Sequence, residues 1–211
     1  MIKAIFFDND GVLVDTEKLY YRANKETFAK MGVDLTQDLY IEYFLKQSLG
    51  TWHLAEAIGF TKEQIAKYHV ERDELYSRLL ASEMNVINGA EDVLKKLHGK
   101  FKMGIVTSSK KNHFEIIHNQ SGLLKYFDFV LASEDYKLSK PAPDPYLKAT
   151  ELSGFSKEEC IAVEDSERGL KAAISAGIGC YVIPTPLTKY SDFTRANKIL
   201  NNIKELPDFL I

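Results

Sequence analysis

Cysteine is almost missing from this sequence: Cys160 and Cys180 are the only two in 211 residues. Each sits in a short apolar run that reads as a buried strand, so both read as packing residues and not as a disulfide or a thiolate metal pair. A reducing compartment fits, and the cytoplasm is the expected location. Long hydrophobic runs are missing too. The opening apolar stretch from Ile2 to Phe7 is cut off by Asp8 and Asp10, far short of a signal-peptide core or a membrane span. No membrane partner is expected. There is no excess of positive charge: 27 Lys+Arg against 30 Asp+Glu leave a net charge of −3, and the basic residues are scattered as pairs such as Lys95-Lys96 and Lys110-Lys111. Nucleic acid, which needs a concentrated basic surface, is therefore not an expected partner. The histidines His53, His69, His98, His113 and His118 show no metal-ligand spacing and read as surface or packing residues, with His113 and His118 on different helix faces. Repeats and low-complexity tracts do not occur, and Lys140 to Pro145 is the only proline-dense stretch.

What is present is the balance of an ordinary globular protein, 45% hydrophobic and 27% charged, long enough for one α/β core and a smaller module. Short β-branched and aromatic runs alternate with helical patterns, as in a parallel sheet built from βαβ units. The predicted strands are Lys3 to Phe7, Lys102 to Val106, Phe129 to Ala132, Cys160 to Val163 and Cys180 to Ile183. Val93, Leu94 and Leu97 mark one helix face, and Phe114, Ile116 and Ile117 mark another. A third helix, capped by Asp165 or Ser166 and stopped at Gly177, turns Leu170, Ala173 and Ile174 inward. The interval from Thr16 to Val86 has helical patterns only, with Tyr20, Ala23, Thr27 and Phe28 at helical spacing. It is too long for a simple crossover. The expected architecture is a three-layer, Rossmann-like α/β core made of residues 1–15 and 87–211, interrupted by a helical cap of residues 16–86 that closes over a substrate.

Ligands of open parallel sheets bind beyond the carboxyl ends of the strands. The first strand ends in Asp8-Asn9-Asp10-Gly11, the second in Thr107-Ser108-Ser109 and the fourth in Glu164-Asp165-Ser166, while the loop after the third carries Lys140. Taken singly, these are a turn, two helix caps and a surface lysine. Their joint placement at successive strand ends argues for a site. Four converging acids would repel one another without a cation, and oxygen-only donors favour a hard ion such as Mg2+. A cation, an ammonium and hydroxyls together can hold a transferring phosphoryl group. Of two carboxylates two residues apart, one can attack phosphorus while the other handles the leaving-group proton. Gly11 lets the chain turn away and brings the backbone close to the substrate.

The segments Asp8-Asn-Asp10-Gly-Val-Leu-Val-Asp-Thr-Glu17, Thr107-Ser-Ser109, Lys140-Pro-Ala-Pro-Asp-Pro-Tyr146 and Val163-Glu-Asp-Ser-Glu-Arg-Gly169 resemble the four motifs of the haloacid dehalogenase superfamily, in its branch with a helical cap after the first motif. That branch contains β-phosphoglucomutase, phosphoglycolate phosphatase and many sugar-phosphate phosphatases. The resemblance implies Asp8 as nucleophile and metal ligand, and Asp10 as general acid and base that also binds metal through its carbonyl. It implies Thr107 and Lys140 on the phosphoryl oxygens, and Asp165 with Glu164 completing a magnesium site. Asn9 departs from the usual apolar residue, with little expected consequence, because that position acts mainly through its backbone.

Dehalogenases of the superfamily lack the second aspartate and need no metal, so Asp10 and Glu164-Asp165 argue against halide chemistry. Mutases of this type usually carry a histidine in the first cap helix, where this chain has Tyr20, which favours hydrolysis. The expected activity is magnesium-dependent hydrolysis of small phosphate monoesters, sugar phosphates foremost, by a monomer or weak homodimer. A sugar phosphomutase and a non-catalytic phosphometabolite-binding protein are the alternatives. Expected substrate contacts are Tyr20, Lys46, Gln47, Trp52 and Arg72 in the cap, the irregular stretch Lys46 to Gly50 standing near the specificity loop, and Gly11, Ser108, Ser109 and Lys110 in the core. Trp52 could stack on a sugar face or belong to the helical packing.

Overall fold

Ala4–Phe7 is buried along its whole length in the computed structural model, which describes residues 1–46 and 50–211. A strand covered on both faces must be apolar throughout, and this run becomes β1 at the centre of a parallel sheet. β2 is Lys102–Val106, β3 Phe129–Leu131, β4 Cys160–Glu164, β5 Gly179–Val182 and β6 Lys198–Ile199. Their order across the sheet is β3-β2-β1-β4-β5-β6, and every pairing is parallel. The α/β class and the parallel sheet with flanking helices are as expected. β6, two exposed residues long, is a strand the hydrophobic pattern could not announce.

The order has a consequence for function. From β1 the chain moves outward through β2 and β3, then returns to the other side of β1 with β4, so the direction of winding reverses beside β1. Loops leaving the carboxyl ends of neighbouring strands part there and leave a crevice. β1 and β4 pair with Phe7 opposite Val163, which sets Asp8 beside Glu164 one step beyond. Between strands, helices pack on the faces as their patterns require. Val93, Leu94 and Leu97 are buried in Ala90–Leu97, and Phe114 and Ile117 in Lys111–Ser121. Glu167–Ala176 starts at Ser166, whose side chain accepts from the Gly169 N–H, and stops at Gly177 in the left-handed conformation.

The chain divides into two compact units, Met1–Asp15 with Asn85–Ile211, and Thr16–Met84. The first unit resumes at Asn85 because the returning segment pairs with the departing one: the Asp15 N–H donates to the Asn85 carbonyl at 2.9 Å and the Ile87 N–H to that of Leu13 at 2.9 Å. Among the described residues the second unit is helical only, with Glu17–Lys30, Gln37–Tyr40, a π-helical Ile41–Lys46, His53–Ala57 and Lys62–Glu83. The longest of these is started by a reciprocal cap, the Gln64 N–H donating to Thr61 Oγ1 and the Thr61 N–H to Gln64 Oε1. No described helix is long and apolar enough to cross a membrane.

Candidate active site

Asp8 leaves the tip of β1 with its N–H donating to the Val163 carbonyl of β4 at 2.8 Å, which continues the sheet register into the site. Its carboxylate is buried and meets Lys140, whose Nζ donates to Asp8 Oδ1 at 2.9 Å and to the Val106 carbonyl at 2.7 Å, and pairs with Glu164 Oε1 at 2.7 Å. The ammonium thus has as many acceptors as protons, which is what a buried lysine needs to remain charged. Burial pulls its pKa down, but Asp8 and Glu164 outweigh burial and hold it above the ordinary range. Tyr146, fully buried, donates its hydroxyl to the same Glu164 oxygen.

Two glycines make room for these acids. A Cβ on Gly169 would lie 2.0 Å from the Glu164 carboxylate, and one on Gly11, whose φ is +81°, would collide with the Asp165 side chain. Asp8, Glu164 and Asp165 can present one oxygen each within 4.8 Å of one another. Burial, then the carboxylates of Glu164 and Asp10, push Asp8 up to about 7 against the pull of Lys140. Three buried carboxylates facing a single ammonium leave an excess of negative charge in a low-dielectric site, and the donors are all oxygen. The set fits a hard divalent cation, which would return Asp8 to its ionised form.

Asp10 is held apart from that trio by hydroxyls. Its Oδ2 accepts from Thr107 Oγ1 at 3.1 Å and from Ser109 Oγ at 2.8 Å, and the Ser109 N–H donates to Thr107 Oγ1 at 3.0 Å. The Thr107 carbonyl accepts from the Tyr136 hydroxyl at 2.6 Å, fixing the end of β2. Ser108 is half-buried in this turn, and Lys110 is exposed just before Lys111–Ser121. The structure therefore brings Asp8, Asp10, Gly11, Thr107, Ser109, Lys140, Glu164 and Asp165 to one edge of the sheet, assembled from loops that are far apart in sequence.

A haloacid dehalogenase-like hydrolase family model matches residues 5–183, which contain every one of these residues. The chain belongs to that family. The haloacid dehalogenase-like assignment is reinforced by individual relatives. Protein CbbY of Cereibacter sphaeroides is 31% identical over 218 residues, covering 98% of this chain and 94% of that one. Fructose-1-phosphate phosphatase YqaB of Escherichia coli (strain K12) is 31% identical over 177 residues, covering 82% and 92%. Among solved structures, a mutant CbbY from Rhodobacter sphaeroides in complex with xylulose-(1,5)bisphosphate matches with a TM-score of 0.81 at 30% identity, covering 98% and 96%.

The residues expected from the cap of this haloacid dehalogenase-like chain lie in the second unit. Arg72 is buried, with its Nη1 donating to the Tyr20 hydroxyl at 2.6 Å and to Asn24 Oδ1 at 3.1 Å, while its Nε donates to Asp73 at 2.8 Å. Trp52 is half-buried, stacked on His69 at 3.9 Å and tilted against Phe28 at 4.9 Å. These contacts place Tyr20, Trp52 and Arg72 in the packing of the helical unit. Lys46 pairs loosely with Glu42 one turn earlier, at 3.8 Å. Gln47, with Ser48 and Leu49, lies outside the described residues.

Two features of the site have no signature in the sequence. Tyr146 was visible only as an aromatic residue after a proline run, and its partnership with Glu164 has no local signature. Asn9 is expected to act through its backbone, and its carbonyl does accept from Leu13 and Val14. Its side chain is nevertheless fully buried, and Asn9 Oδ1 lies 2.9 Å from His118 Nε2. His113 and His118 are both buried in the same helix, so of the surface and packing roles expected for them they take the packing one. Burial pushes His118 down to about 4, so it is neutral at physiological pH.

Proposed function

We propose that this chain is a magnesium-dependent phosphatase acting on small phosphate monoesters, sugar phosphates foremost, through an aspartyl-phosphate on Asp8. The observation that carries the reading is the convergence of Asp8, Glu164 and Asp165 within 4.8 Å, with Lys140 bonded to both Asp8 and Glu164. Relatives named as a fructose-1-phosphate phosphatase and as a protein crystallised with a sugar bisphosphate support the substrate class.

Asp8, Glu164 and Asp165, with the Asp10 carbonyl, would hold the cation. Bound there, magnesium supplies positive charge against the phosphoryl oxygens. A carboxylate oxygen of Asp8 attacks phosphorus while the bond to the ester oxygen breaks. Asp10, protonated for this step, gives its proton to that leaving oxygen. Lys140 and the Thr107 hydroxyl stabilise charge on the remaining oxygens. In the second half, Asp10, now a carboxylate, takes a proton from water as the water attacks phosphorus, which restores Asp8 and frees inorganic phosphate. The two buried free thiols fit a cytoplasmic enzyme. Hydrolysis is favoured over a mutase because Tyr20 stands where mutases of the family carry a histidine.

The test is a panel of phosphorylated metabolites assayed with magnesium for phosphate release and isomer formation in the same tube, beside Asp8→Asn. Phosphate release by the parent and none by the variant is expected. Isomer formation without phosphate would make the enzyme a mutase, and equal activity of Asp8→Asn would end the covalent mechanism.

A further inference from the structure

The buried Asn9–His118 pair is not used by any step above, yet it sits directly behind the proposed acid–base group. Asn9 is fully buried between Asp8 and Asp10 in sequence, and His118 is 7% exposed, on a helix 109 residues away. Polar side chains are withdrawn from water at this cost only when their partners are in place. The partners form a chain. The Leu123 N–H donates to Ser121 Oγ at 3.1 Å, Ser121 Oγ lies 2.8 Å from His118 Nδ1, His118 Nε2 lies 2.9 Å from Asn9 Oδ1, and Asn9 Nδ2 donates to Asp10 Oδ2 over a longer 3.4 Å.

Only one set of proton positions satisfies every member. Ser121 Oγ, accepting from Leu123, keeps a proton and a second lone pair and can meet either state of Nδ1, so the Asp10 carboxylate decides: it requires the Asn9 NH2, which leaves Asn9 Oδ1 to the ring and the proton of the neutral histidine on Nε2. That proton goes to Asn9 Oδ1, and the amide then turns its NH2 toward the Asp10 carboxylate. In the reverse setting the Asn9 NH2 would donate to a bare Nε2, but the Asn9 oxygen would then face the Asp10 carboxylate, acceptor against acceptor. The Asn9 carbonyl meanwhile holds the N–H groups of Leu13 and Val14, so any shift of Asn9 moves the turn that carries Asp10.

We propose that Asn9 and His118 are positioning residues for Asp10: together they lock the orientation from which its carboxyl group meets the leaving oxygen. This rests on the reading of Asp10 as general acid. An ester whose leaving group is a good anion does not need that acid, whereas one with a poor leaving group does. A positioning role therefore has a signature that general damage to the site lacks.

The experiment compares kcat/KM for phenyl phosphate and 2,4-dinitrophenyl phosphate, with magnesium, in the parent, His118→Leu, Asn9→Leu, the double variant and Asp10→Asn. General acids contribute about a hundred- to ten-thousandfold, so a misplaced one should cost roughly ten- to a hundredfold on phenyl phosphate and under about threefold on the dinitrophenyl ester. The double variant should lose no more than either single one, because both act through one chain of bonds. His118→Gln, which keeps an N–H donor, should recover part of the loss. Equal losses on both esters, or none on either, would overturn the positioning role. Asn9→Leu, which places an apolar residue where the family usually has one, keeps the test open if His118→Leu does not fold. If Asp10→Asn itself shows no difference between the esters, the general-acid reading fails and the inference with it. If Asp10→Asn shows the difference and the other variants do not, only the inference fails.

Discussion

Gly11 faces Asp165 so closely that a Cβ at that position would stand 2.4 Å from Asp165 Oδ2. The turn after β1 thus has to be glycine for two reasons, its φ of +81° and the carboxylate lying against it. Gly11→Ala should cost about 1–2 kcal/mol from the left-handed backbone alone, and should also displace Asp165 from the acid cluster. Thermal denaturation with and without magnesium checks this. The parent should be stabilised by the cation as any ligand-binding fold is, and the gain should shrink sharply in the variant. An undiminished gain would show that Asp165 does not depend on Gly11.

Lys140 is the only ammonium bonded to both Asp8 and Glu164 among the described residues. Replacing it with methionine leaves two buried carboxylates facing each other, and breaking such a pair by removing one side costs about 3–5 kcal/mol. Urea denaturation of metal-free Lys140→Met near neutral pH should show a loss of that order. Turnover should fall at least about a hundredfold, as when a charge-stabilising donor is removed from other enzymes. A variant within about 1 kcal/mol of the parent would mean that the pair does not hold the site together.

Two buried groups give metal-free stability opposing slopes with pH. Asp8 is raised from 3.8 to about 7, so its contribution is complete below 3.8 and is lost as the pH rises toward 7. His118 is lowered from 6.5 to about 4, so its contribution is complete above 6.5 and is lost as the pH falls toward 4. Between those limits the two offset each other. Asp8→Asn should unmask the histidine, giving stability that rises by roughly 2 kcal/mol from about pH 5 to 7. His118→Gln should unmask the aspartate and give the opposite slope. Denaturant midpoints across that range decide it, and slopes of the same sign in the two variants would contradict the assignment.

The parts that were legible in the sequence are those where one local rule decides. β1, β2 and β4 are buried apolar runs ending in acids or hydroxyls. The helix Glu167–Ala176 is bracketed by a serine cap and a glycine stop. The acids and Lys140 could be named because they follow predicted strand ends, and the sheet order then brings them together. What was hidden depends on pairings across the fold. Asn9 and His118 are two polar residues that look unremarkable until the helix of the next βαβ unit brings His118 against Asn9. Tyr146 looks like packing until Glu164 turns inward beneath it. β6 is too short and too exposed to carry a pattern, and the π-helical turn Ile41–Lys46 has the same apolar spacing as an ordinary helix over so few residues.

The most direct test is to trap the phosphoryl group on the protein. Asp10→Asn lacks the base for the hydrolysis step, so with magnesium and an activated aryl phosphate it should accumulate the acyl phosphate. Acid quenching, borohydride reduction and peptide mapping then show where it was. A covalent mechanism predicts homoserine at position 8 in that variant and none in Asp8→Asn. Turnover of the ester with Asp8 unmodified, or reduction at another carboxylate, would contradict it.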